Sequence, residues 1–158
     1  MKSILMSINA IHNANIESGD KTNELRTRPP KVEPPFKVFT YESGALGRHK
    51  VVNEWVCDSM TTWLIYMGIP AHLITTGCVS AEHIRMYTNN GMKDLTAMHI
   101  SNLVIYDKPR ELSEFYVWKK CNSCRDTGYE STACMYDENC KVPAIITRPP
   151  QSWCYVEE

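Results

Sequence analysis

Gly19-Asp20-Lys21-Thr22-Asn23-Glu24-Leu25-Arg26 follows an apolar N-terminal run, Met1 to Ile8, and a short polar segment. It sets a glycine, two cations and two carboxylates within eight residues, and its reading decides the fold. Upstream, the apolar run reads as a first strand, and Asn9 is placed to cap a short helix through Ser18. Gly19 then falls at the C-terminal position where a left-handed residue is wanted. From Lys21 to Arg26 the chain is expected to be extended, with Lys21, Asn23 and Leu25 on one face and Thr22, Glu24 and Arg26 on the other. Glu24 and Arg26 side by side would present fixed donors and an acceptor together, a pairing suited to a polar, planar or anionic ligand.

Downstream, Thr27-Arg28-Pro29-Pro30-Lys31-Val32-Glu33-Pro34-Pro35 contains four prolines and is a connector. The prolines lack donors and hold their predecessors extended. Phe36 to Glu42 and Val51 to Cys57 are rich in aromatic and β-branched residues, and read as two strands around the loop Ser43 to Lys50. Arg48-His49-Lys50 in that loop reads as a solvated hairpin tip, with phosphate contact as the alternative. A helix starts at Ser80, with Glu82 in its first turn and Val79 stapled onto Ile84, and Gly91 is expected to end it. His99 to Tyr106 reads as a buried strand, with Asp107-Lys108-Pro109 turning the chain away. Ala144 to Thr147 and Trp153 to Val156 supply two more short strands. Thr-Arg-Pro-Pro occurs at Thr27 to Pro30 and again at Thr147 to Pro150, but four residues do not establish a repeat. Strands joined by loops, with helices at few places, give an α+β fold with a mostly antiparallel sheet closed or nearly closed into a small barrel.

At 158 residues the chain can bury one real core, and a single domain spanning 1–158 is expected. A net charge of −1 and a pI near 6.5 exclude a molecule-wide basic field, so nucleic-acid binding would rest on a local cleft. No apolar run approaches the roughly twenty residues needed to cross a bilayer. The expected setting is cytoplasmic, with no membrane partner. Seven cysteines, an odd count, favour reduced thiols. Cys121, Cys124, Cys134 and Cys140 fall within a polar insertion, 119–143, and the first pair has zinc-knuckle spacing. A closed structural zinc site and a loop with incidental thiols are the two readings. No organic cofactor is expected.

The pattern Gly19-x-Lys21-x-x-Glu24-x-Arg26 behind a strand and short helix resembles the ASCH domain of the PUA-like superfamily, whose hallmark is G-x-K-x-x-E-x-R. His99 to Leu103, Tyr106 to Pro109, Leu112 to Phe115 and the ending Arg148-Pro149-Pro150-Gln151-Ser152-Trp153 look like the ASCH proteins of phages and prophages. The resemblance implies a small β-barrel with flanking helices and a cleft lined by Lys21, Glu24 and Arg26, proposed in the family to bind RNA or a nucleotide. Trp153 could offer a ring for base stacking, with burial as its rival role. An amidohydrolase branch of the family acts on acetylated cytidine with a lysine and a threonine three residues later. Here that position is Glu24, which favours a charged lysine and opposes a lysine base. If the chain is an enzyme, a ribonuclease or nucleoside hydrolase, Lys21 and Glu24 are its catalytic candidates. The phage-like resemblance adds a third expectation, engagement of a host protein in counter-defence.

Overall fold

In the computed structural model, which describes residues 1–120 and 141–157, the N-terminal apolar run forms β1 (Ser3–Asn9). Ile4, Leu5 and Met6 are all fully buried, although strand side chains alternate between faces. The reason is that β1 lies inside a six-stranded sheet covered on both sides. Ile4, Met6 and Ile8 enter one apolar cluster with Phe36, Val38 and Trp55, while Leu5 enters another with Phe39, Phe115 and Val156. Each such side chain contributes about 1.5–3 kcal/mol of burial.

The other strands are β2 (Asn23–Arg26), β3 (Phe36–Ser43), β4 (Val51–Trp63), β5 (Leu95–Arg110), β6 (Tyr116–Lys120), β7 (Lys141–Ile145) and β8 (Trp153–Val156). Among the described residues three α-helices accompany them: α1 (Ala10–Glu17), α2 (Ala71–Gly77) and α3 (Ala81–Tyr87). The large sheet runs β2-β5-β4-β3-β1-β8 and curls into a half-barrel, and β6 with β7 forms a separate two-stranded sheet. β1 and β3 are parallel, and every other pairing in the large sheet is antiparallel. The mixed α+β half-barrel agrees with the expected architecture.

The helix signals were legible. Asn9 accepts the Ile11 N–H at 3.1 Å, Ser80 accepts that of His83 at 3.0 Å, and Gly19 takes φ +84° after α1. Other expectations need correction. α3 ends at Tyr87, not at Gly91, because the Thr88 hydroxyl donates to Ile84 O at 2.7 Å and folds the last turn inward. α2 was not anticipated, since Pro70 caps it without a side-chain hydrogen bond and its apolar face is short, Leu73 buried and Ile74 partly so. β5 begins at Leu95 and is buried only through Met98; beyond that its residues are half-buried or exposed. It also runs through Asp107-Lys108-Pro109. Register shifts between Val51 and Asn53 of β4, whose partners are Arg110 and Ile105, leave a bulge that accommodates a proline without a ladder hydrogen bond.

The Ser43–Lys50 loop is tied back to the fold. Arg48 Nε lies 2.8 Å from Glu42 Oε2, and Arg48 Nη2 lies 2.6 Å from Glu17 Oε1. Glu42 also accepts from Asn13 at 2.9 Å, and Asn13 accepts from Asn53 at 2.8 Å. Lys50 pairs with Glu111. The hydrogen bonds of Arg48 pull the Glu42 carboxyl down to about 2 against the opposing effect of burial. Its stabilising effect is therefore complete above the ordinary value of 4.5 and lost as pH falls towards 2. Arg48→Ala is expected to cost about 1–2 kcal/mol near neutral pH, towards the low end for a buried carboxylate because water reaches Arg48. Urea unfolding should show the difference from the parent shrinking as the medium is acidified through that range.

Candidate functional site

Backbone contacts around the hallmark segment explain where its side chains go. The Lys21 N–H donates to Asn15 O at 2.8 Å, and the Thr22 N–H donates to Thr76 O at 2.9 Å. Those bonds hold Lys21 against the end of α1 before the strand begins at Asn23. The expected alternation of faces thus applies to Glu24 and Arg26 but not to Lys21, which turns back to the same side. Lys21 Nζ stands 3.2 Å from Glu24 Oε2, and Arg26 Nη2 stands 2.9 Å from Glu24 Oε1. The three side chains are 3%, 7% and 12% exposed, so this is a buried cation–carboxylate–cation triad.

The triad is braced on both sides. Lys21 Nζ donates to Gly77 O at 2.8 Å, at the carbonyl end of α2 where a cation is favoured. Gly77 is needed there, because a Cβ would stand 2.6 Å from Leu25 Cδ1 and 3.1 Å from its Cγ. Arg26 donates to Ser7 O at 2.9 Å and to Ser152 Oγ at 3.3 Å, joining β2 to β1 and to the loop before β8. Burial pushes the Glu24 carboxyl up, but the Arg26 and Lys21 charges outweigh it and hold the group below the usual carboxylate range.

A cavity of about 190 Å³ opens over this triad. Lys21, Glu24 and Arg26 line it together with His12 from α1, His83 and Tyr87 from α3, and the end of β1. The two imidazoles meet edge to face, with ring centroids 6.0 Å apart. Burial, followed by the Lys21 charge, lowers the His12 pKa below 6.5, with Glu24 pulling the other way. Burial thus favours the neutral form of the His12 imidazole. Its buried Nδ1 and the buried Nε of Arg26 have no hydrogen-bond partner among the described residues. Such atoms are costly to leave unpaired, and a ligand that pairs them gains what the empty cleft forgoes.

The structure brings Lys21, Glu24 and Arg26 together, although strand alternation places Lys21 on the opposite face. Trp153 is not part of the cavity wall. It lies half-buried beside it, its Nε1 donating to Arg28 O at 2.8 Å and its ring edge-to-face with Tyr155 at 5.2 Å. Sequence reading did not place His12 or His83 at the site. A useful signal was the helix period itself, since His12 lies on α1 one position before buried Asn13 and four before buried Ile16. Cys121, Cys124, Cys134 and Cys140 lie outside the described residues. Among the described residues, no group of three or more His, Cys, Asp or Glu is arranged to hold a metal, and no helix is long and apolar enough to cross a membrane.

No protein-family model and no curated protein matches the chain. Solved structures do. The crystal structure of ASCH from Zymomonas mobilis matches over 99% of this chain and 89% of that one, with a TM-score of 0.67 and 16% sequence identity. Crystal structures of two single-substitution mutants of the same protein each match at a TM-score of 0.63 and 15% identity, one covering 100% of this chain and 92% of its own, the other 99% and 89%. The chain therefore has an ASCH-like fold, the architecture that the Gly19 to Arg26 pattern anticipates.

Proposed function

We propose that this protein is an RNA- or nucleotide-binding module whose cleft takes one base or nucleoside over the Lys21–Glu24–Arg26 triad. The observation that carries the reading is the buried triad flooring a cavity in which His12 Nδ1 and Arg26 Nε are buried without a hydrogen-bond partner among the described residues. At about 190 Å³ the cavity is small beside the roughly 300–1,000 Å³ of sites for drug-sized ligands, which suits a single planar ring. The likeness to ASCH crystal structures supports the fold on which the reading rests.

A hydrolytic reading is favoured by one observation, the placing of the His12 imidazole in the same cavity as Lys21 and Arg26, where burial favours its neutral form. His12 could accept a proton while the cations stabilise charge developing on a phosphate or carbonyl. A lysine base is disfavoured, since Glu24 at 3.2 Å supports the ammonium form.

Incubation with pooled nucleosides and short RNAs separates the readings. Ligand recovered intact, with affinity falling about a hundredfold in Lys21→Ala, is the expected result. Turnover abolished by His12→Ala would establish hydrolysis instead, and capture of a host protein with no bound nucleotide would point to counter-defence. Unchanged affinity in both Lys21→Ala and Glu24→Ala overturns the binding reading.

A further inference from the structure

 The two Thr-Arg-Pro-Pro segments are brought by the fold to the same side of the cleft, one held by Trp153 and the other by Ser7. Trp153 Nε1 donates to Arg28 O at 2.8 Å, which fixes the first segment against β8. Ser7 Oγ donates to Pro150 O at 2.6 Å and the Ser7 N–H donates to Ser152 O at 2.9 Å, which fixes the end of the second against β1. Ser7 and Arg26 line the cavity, and Arg26 also reaches Ser152, so both loops border the mouth of the cleft. Arg148 precedes Ser152 by four residues, a reach of at most about 14 Å.

In each segment the prolines limit the backbone and leave the arginine outward. Arg28 and Arg148 are exposed, and neither has an ion-pair partner among the described residues. Lys31 is exposed in the first loop as well, with Glu33 as the nearby opposing charge in sequence. Between the loops, Trp153 and Tyr155 lie on one face of β8, an edge strand of the large sheet, and Tyr155 is 45% exposed. Cations flanking aromatic rings are the arrangement that holds single-stranded nucleic acid, with charge on the phosphates and rings under the bases.

We propose that Arg28 and Arg148 hold backbone phosphates of single-stranded RNA that runs out of the cleft across Trp153 and Tyr155. The proposal rests on the cleft taking a base, and it makes the ligand a strand instead of a free nucleoside. Its test uses a labelled mixed-sequence RNA about a dozen nucleotides long, nucleoside monophosphates, and inorganic polyphosphate of matched charge. The expected result is that Arg28→Gln/Arg148→Gln weakens RNA binding roughly tenfold at low salt and flattens the dependence of log affinity on log salt by about 1.4, from about 0.7 for each phosphate contact on a single strand. Monophosphate binding should stay unchanged in that variant, and Tyr155→Ala should weaken RNA but not polyphosphate. If RNA affinity and salt slope survive the double substitution while Lys21→Ala abolishes binding, the strand proposal falls and the cleft reading stands. Polyphosphate bound as tightly as RNA also overturns the strand proposal. If the parent protein binds neither RNA nor monophosphates, the cleft reading fails and this proposal with it.

Discussion

Glu24→Ala is expected to lower the unfolding free energy by about 3–5 kcal/mol, the cost of leaving buried charges without their partner. Lys21 and Arg26 would face each other across the vacated carboxylate, with side chains only 3% and 12% exposed. Lys21 would retain Gly77 O, and Arg26 would retain Ser7 O and Ser152 Oγ, but none of these carries a full negative charge. At about 2–4 °C for each kcal/mol in a chain of this size, the melting temperature should fall by roughly 6–20 °C. The pH dependence gives a second reading of the same substitution. Because the folded Glu24 carboxyl is held below 4.5, its contribution is complete above that value and is lost as pH falls through the folded one. The parent should therefore lose stability on acidification that Glu24→Ala has already lost, and the two unfolding curves should converge. Calorimetry or urea unfolding across that range checks both points. A variant within about 1 kcal/mol of the parent near neutral pH would show that the triad is not the strongly coupled unit its geometry describes.

The Gly19 to Arg26 segment was legible because its cues are local. Asn9 and Gly19 mark the two ends of α1 through their own hydrogen bonds and dihedral angles, and Glu24 beside Arg26 follows from strand periodicity. Lys21 was misplaced because its direction depends on Asn15 O and Thr76 O, contacts made by neighbouring elements and not by its own spacing. His12 and His83 were invisible for a related reason. They lie far apart in sequence and meet, ring to ring at 6.0 Å, only in the folded chain. β5 shows the same limit from the other side: its apolar content predicts a strand, but which half is covered depends on α2 and α3, which pack on Leu95 and Ala97. Local chemistry announced the triad, and tertiary packing supplied the cavity above it.

Replacing the whole triad should separate stability from recognition. Lys21→Met/Glu24→Leu/Arg26→Met removes all three charges at once, so no ion is left buried without a partner. Apolar side chains of similar volume often substitute for buried ion pairs at little cost, or with a gain. Gly77 O, Ser7 O and Ser152 Oγ would lose their donors, at about 1 kcal/mol each, and the apolar contacts offset part of that. The triple variant is therefore expected to be more stable than Glu24→Ala alone, although it changes three residues instead of one. Its affinity for nucleotides should nevertheless fall by about a thousandfold or more, because both cations and the carboxylate that orients them are gone. Urea unfolding and a binding titration on the same preparation read the two quantities together. If the triple variant proved less stable than Glu24→Ala, the charges would be holding the fold together. If it bound nucleotides like the parent, the cleft would not be the site. The expected combination, a firm fold with no recognition, would mean that a cation–carboxylate–cation cluster is kept in the interior for what it binds.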